Sequence, residues 1–304
     1  MKKQVLVVAL ALGVSGAFAQ DLTSKKGEPM LPEAGDYAIS MNVDPIFTYL
    51  GNAFHGTAAT GNTPGTNWLN GQQTIVAKKF IDEKSAYRLV IRLGFTNQTT
   101  KAMISDASVT TPPTYPATPA MVEDKMHVNN TNIGIGVGKE MRRGKTRLQG
   151  FYGADAMIWL SMAGTKYDYG NALSVTPPVG VGSSTNFGSN MTTDAYGNNA
   201  RVLSQKSGMT FGIGVRAFVG AEYFIMPKIS LGAEFGWGIG YQMTGKGKET
   251  VESIGGATPT VGQVETKTSG SSKFGFDTDL NQGTIFGFHG SNTGSASLKA
   301  TFHF

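Results

Sequence analysis

Eight stretches of this chain alternate apolar residues with small or polar ones, and the connections between them alternate short and long. A period of two marks a β-strand that shows different chemistry to its two sides. The stretches fall at 37–50, 72–81, 86–96, 128–141, 146–162, 209–225, 229–243 and 295–304. In the seventh, Ile229, Leu231, Ala233, Phe235, Trp237, Ile239 and Tyr241 oppose Gly232, Glu234, Gly236, Gly238 and Gly240. The second is ambiguous in facing, because Ile75, Val76 and Ala77 run together. Pro45 predicts a bulge in the first.

The short connections are 82–85, 142–145 and 226–228, and the long ones are about 51–71, 97–127, 163–208 and 244–294. Transmembrane barrels use strands of about 9–11 residues, short turns on one side and longer loops on the other. The predicted fold class is therefore all-β: an up-and-down antiparallel transmembrane β-barrel over 37–304, with eight strands. Ten strands are the alternative, through a hairpin at Phe274 to Phe276 and Thr284 to Phe288. An even count puts both ends on the short-turn side. Phe80, Tyr87, Tyr152, Tyr223, Phe302 and Phe304 stand near the turns, and Phe95, Trp159, Phe211 and Tyr241 near the loops. Their placement predicts two aromatic girdles.

The first residues bear on location. Lys2 and Lys3 precede a short apolar run, and Ala17-Phe18-Ala19 reads as a small-residue cleavage site. That is the pattern of a secretory signal peptide over 1–19. Residues 20–36 are then expected as a periplasmic N-terminal segment. The whole chain has a formal net charge of +5, and Lys2 and Lys3 account for two of those charges. With no dense basic stripe, no nucleic-acid partner is expected. The absence of cysteine excludes disulfides, thiolate metal sites and a cysteine nucleophile.

Inward positions carry charge. Arg88, Arg92, Arg216 and Lys299 fall on that face, with Asp155, Glu222 and Glu234. Counting Glu140 gives four cations and four anions. Unpaired charges in so narrow an interior are costly, so a paired network is predicted. Gly134, Gly136 and Gly138 before Lys139 are read as strand glycines, not a phosphate loop, because no helix follows. Asp277, Asp279 and Asn281 resemble a calcium loop, but the glycine comes one place late and Phe288 stands where a bidentate Glu belongs. An ordinary polar loop is preferred, and no metal or cofactor is expected. His55, His127, His289 and His303 form no recognisable catalytic set, so no enzyme is predicted.

The last residues, Leu298 to Phe304, alternate apolar side chains, with Phe302 two before the terminal Phe304. They resemble the signal read by the barrel-assembly machinery, and in architecture the chain resembles the small OmpA/OmpX/OmpW-like barrels of the Gram-negative outer membrane. The resemblance implies an outer-membrane location, periplasmic termini, extracellular long loops and contact with outer-membrane lipid and lipopolysaccharide. It also implies the assembly machinery as a partner during biogenesis. No periplasmic domain is expected after the barrel, unlike full OmpA. The expected role is non-enzymatic: surface interaction, or accessory membership of an outer-membrane complex with other outer-membrane or surface proteins. A narrow pore or small-molecule channel is the alternative, and a lipid-modifying enzyme comes third.

Overall fold

A computed structural model describes residues 22–24, 26–43, 75–111, 113–277 and 296–304. The signal-like segment, the loop at 51–71, Pro45 and the stretch 278–295 lie outside the described residues. Alternation turns into strands along the chain: β1 (Tyr37–Asn42), β2 (Ile75–Asp82), β3 (Ser85–Ser105), β4 (Met121–Arg143), β5 (Leu148–Asp168), β6 (Met191–Thr193), β7 (Asn199–Lys206), β8 (Thr210–Met226), β9 (Ile229–Thr244), β10 (Gly247–Gly255), β11 (Thr260–Thr268), β12 (Ser271–Asp277) and β13 (Ala296–His303). All pairings among them are antiparallel. The chain is all-β, as its period predicts.

Eight of these strands close a ring, β1-β2-β3-β4-β5-β8-β9-β13 and back to β1. Its order is the chain order of the eight alternating stretches. The closing pair joins Ala38 to His303, and inside it Ser40 Oγ meets Thr301 Oγ1 at 2.7 Å. The ring is uneven: β3, β4 and β5 run 21, 23 and 21 residues, whereas β1, β2 and β13 run 6, 8 and 8. Its strands slant. Following register partners from Tyr37 through Lys79, Tyr87, Lys139, Ala154 and Ala217 leads to Trp237, eight residues above Ile229 at the start of β9. Closure of a sheet requires such a tilt.

The two faces separate cleanly. Odd positions of β8 and β9, such as Ile213, Val215, Leu231 and Ile239, are exposed, and even positions such as Arg216, Phe218, Glu222 and Glu234 are buried. The ambiguous second stretch settles with Val76, Lys78 and Phe80 inward and Ile75 and Ile81 outward. Inward glycines make room for the large side chains they face. A Cβ on Gly212 would collide with the Trp159 ring, on Gly220 with Phe151, and on Gly153 with Phe218. Two girdle expectations fail for the same reason. Phe80 is 1% and Trp159 8% exposed, and both fill the interior instead of facing out.

The loop expectations need correction too. Residues 97–105 and 121–127 are not loop but a continuous β3–β4 ladder from Ser85↔Met141 to Ser105↔Met121. The 163–208 connection begins as β5 and holds β6 and β7, with a 3-10 turn at Val181–Ser183. In the 244–294 connection, β10 and β11 form a hairpin and β12 pairs with β9 above β13. Phe274 and Phe276 belong to β12, so they pair with Tyr241 and Ile239 of β9. These segments carry polar residues on both faces, so the apolar period that marks a strand is missing although the backbone ladder continues. Arg142 and Arg143 belong to β4, not to a turn.

Candidate functional site

Two polar constructions occupy this framework, one inside the ring and one above it. Inside, β3 positions Arg88 as a central cation. Its Nη1 donates to Glu140 at 3.1 Å and its Nη2 to Glu234 at 3.0 Å, and its Nε lies 3.3 Å from Asp155. Its guanidinium lies 3.8 Å from the centre of the Phe218 ring. Glu234 on β9 is the matching anion. It also accepts Arg216 Nη1 at 2.6 Å and lies 2.9 Å from Lys299 Nζ. Lys78 reaches Glu140 at 2.8 Å and sits 5.0 Å from the Phe151 ring centre. Towards the turns, Arg142 donates to Glu222, which also accepts Ser230 Oγ at 3.1 Å. Phe80, Phe224 and His303 pack around that end, with ring centres 5.1–5.5 Å apart.

The predicted network therefore forms around Arg88, Asp155, Arg216, Glu222, Glu234 and Lys299, with Glu140 a full member. Lys78 and Arg142 also belong and are not among the predicted residues. Strict alternation backwards from inward Phe80 finds Lys78, and extending β4 by one rung finds Arg142. Arg92 does not join: its Nε and Nη1 are buried with no hydrogen-bond partner. Asp155 lies 3.7 Å from Arg216 Nη1 but makes no well-formed hydrogen bond, so charge alone holds it. The space left among Ser40, Lys78, Phe151, Glu222, Lys299 and Thr301 is about 10 Å³, at most one water. At this level the interior is filled.

Above the ring, β7 takes over beside β5 where β8 ends, and β10 continues from β9 to pair with β7. Gly208 and Gly245 meet at this handover, where a Cβ on Gly208 would collide with the Gly245 carbonyl. Tyr167, Ala200, Val202 and Val251 form a small apolar core, with Phe187 and Val264 against it. Around it, loop backbone is tied by side chains. Buried Asp124 accepts Gly170 N–H at 2.7 Å and Thr185 N–H at 2.6 Å. Asn190 binds Phe187 N–H, Thr185 carbonyl and Tyr169 hydroxyl. Arg201 holds Glu252 at 2.8 Å, the Asn171 carbonyl at 2.7 Å, and the Tyr169 ring face at 4.3 Å. Asp194 receives the amides of Tyr196 and Asn198, the Asn198 side chain and Ser253 Oγ. The Asn198 and Ser253 hydrogen bonds hold its carboxyl down at about 2, and burial pushes the Tyr169 phenol up to about 12. None of these residues was singled out from sequence, because hydrogen bonds from side chain to loop backbone leave no periodic trace.

Phe302 and Phe304 face outward at 44% and 64% exposure. Asp279 and Asn281 lie outside the described residues, as does the Asp277 side chain. Among the described residues, no group of three or more His, Asp or Glu side chains is placed to hold a metal ion. His127 lies between two partners in an exposed ladder, its Nε2 3.2 Å from Asp168 and its Nδ1 2.9 Å from Thr99 Oγ1. Comparison with family models, curated proteins and solved structures found no match for this chain.

Proposed function

We propose that the chain is an outer-membrane β-barrel that serves as a sealed anchor, presenting its loop-end cap to a partner at the cell surface. The observation that carries this reading is an apolar outer wall around a filled, charged interior. Ile135, Val137, Ile158, Ile213, Val215 and Ile239 lie exposed at mid-wall, and exposed apolar surface of this extent needs a cover. Lipid is the cover that suits a closed ring, because closure satisfies every backbone group within the wall. Exposed Tyr37, Tyr87 and Tyr152 at the turn end, with Phe95, Phe211 and Tyr241 at the loop end, fit the interfacial levels of a bilayer. In this reading the outward Phe302 and Phe304 form the assembly signal.

The cap is the working part. Among the described residues its loop backbone is tied by Asp124, Asn190, Asp194 and Arg201, beyond what closing hairpins requires. Tyr115 at 97% and Tyr196 at 82% exposure are its free aromatic side chains, the residue type that anchors protein interfaces. The experiment is extraction in gentle detergent with identification of co-purifying proteins, followed by deletion of the β10–β11 hairpin. A larger particle that loses its partner on deletion is the expected result. A lone barrel whose partners and surface phenotype survive the deletion would sink the presentation role. Planar-bilayer recording completes the test. The filled interior is expected to be silent, and steady conductance would favour the pore instead.

A further inference from the structure

Among the described residues, the outward wall carries no charge from the first aromatic level to the second, with two exceptions. Among the described outward positions at 37–41, 75–81, 87–95, 133–141, 148–162, 211–225, 229–243 and 298–304, charge occurs only at Lys79 and Lys139. Both are exposed. Both stand on one rung: Lys79 registers with Tyr87, and Tyr87 registers with Lys139. Tyr37 continues the rung on the other side, with Lys79 Nζ 5.5 Å from its ring centre. The order across four adjacent strands is Tyr37, Lys79, Tyr87, Lys139. Strand spacing puts the two lysines about 10 Å apart at the backbone, within mutual reach of their stems. Lys79 is three residues from the end of β2, so the rung lies about 10 Å above the turn.

Scattered interfacial lysines need no special ligand, since each can snorkel alone. A described wall with no other charge, and with both of its cations on one rung around a tyrosine, is a different arrangement. The nearby acids are Asp82 at the end of β2, within electrostatic reach of Lys139, and Glu83 in the turn that follows. Asp82 is already engaged, accepting Lys84 N–H at 2.7 Å and Ser85 Oγ at 2.9 Å. Neither lysine forms an ion pair among the described residues. Below the rung, Arg143 and Lys145 line a cavity of about 770 Å³ with Met141 and Tyr152, between the N-terminal segment and the turns. Glu33 and Glu83 line the same cavity beside Lys84, Arg142, Arg143 and Lys145, so cations outnumber acids in this sector, β2 to β5, at the turn end.

We infer that this sector binds an anionic phospholipid whose headgroup carries two phosphates on a short linker. Lys79 and Lys139 take one phosphate each, the Tyr87 hydroxyl donates between them, and the acyl chains run up the wall past Leu89 and Val137. The inference rests on the membrane reading above. The test uses the full mature chain in bilayers of zwitterionic phosphatidylethanolamine, doped either with cardiolipin or with phosphatidylglycerol at matched total charge. Lipid retained after detergent exchange is counted by native mass spectrometry. Retention of cardiolipin over phosphatidylglycerol by about tenfold is expected, because the second phosphate binds intramolecularly. Lys79→Gln with Lys139→Gln should abolish the preference, and Lys79→Arg with Lys139→Arg should keep it. Equal retention of the two lipids, or an unchanged preference in the glutamine variant, overturns the site. Failure of the wild-type chain to float with any bilayer overturns the membrane reading instead, and with it the site.

Discussion

The ring interior and the cap both bury polar groups, but they solve the problem by opposite means. Inside the ring, charges from strands far apart in sequence neutralise one another. Arg88 and Glu234 are 146 residues apart, yet they meet at 3.0 Å. In the cap, neutral or singly charged side chains satisfy nearby backbone: Asp194 binds amides two and four residues ahead. A closed ladder has no spare backbone donors, so polar side chains on its inner face must find each other. A folded loop has many spare donors, so its side chains serve them first. The interior is therefore brittle to the loss of one charge. The cap is sensitive to the loss of an acceptor.

That contrast can be broken experimentally, beginning where the effect is greatest. Glu234→Gln leaves Arg88, Arg216 and Lys299 short of their shared anion. Breaking a buried pair on one side costs about 3–5 kcal/mol. Denaturant unfolding in micelles should lose that much, whereas Asp155→Asn, which removes no hydrogen bond, should lose clearly less. Equal losses would mean that charge alone, not hydrogen bonding, organises the interior.

Next comes the cap. Asp124→Ala strands the Gly170 and Thr185 amides, at about 1–3 kcal/mol for each unsatisfied donor. Limited proteolysis should then cut within 170–190 while ring unfolding stays at the wild-type value. A lowered ring stability would show that the two regions are one cooperative unit.

The smallest effect is acid loosening near Asp194. Its carboxyl is held at about 2 when folded, against 3.8 as the ordinary value. The folded pKa is depressed, so this contribution is complete above 3.8 and is lost as pH falls towards 2. Hydrogen exchange at the Tyr196 and Asn198 amides, corrected for intrinsic rates, should accelerate across that window. Asp194→Asn should remove the pH dependence.

Legibility in the sequence follows the same division. All eight ring strands are readable, because inside and outside differ at every second residue along most of them; only the facing of the second is hidden. Most of the interior network is readable as inward charge. Lys78 is obscured by the apolar run Ile75-Val76-Ala77, and Arg92 is on the right face but above the level where anions stand. Phe80 and Trp159 mislead because an aromatic residue near a strand end suits either a girdle or a glycine-backed interior. Only the strand's phase decides between them. The cap is nearly illegible. Asp124, Asn190 and Asp194 are ordinary loop-type residues until the fold brings amides to them.

The bond between Ser40 and Thr301 joins residues 261 apart. Most other rungs of the ring join neighbouring hairpins, which zip with little loop to close. The closing rung has no such help, and it cannot form until β13 has been made. Until that closure the sheet carries two raw edges, at β1 and at β13. Each edge is a template for foreign strands until the latch shuts. The time between release of the chain and that single closure is when this protein is most exposed to aggregation.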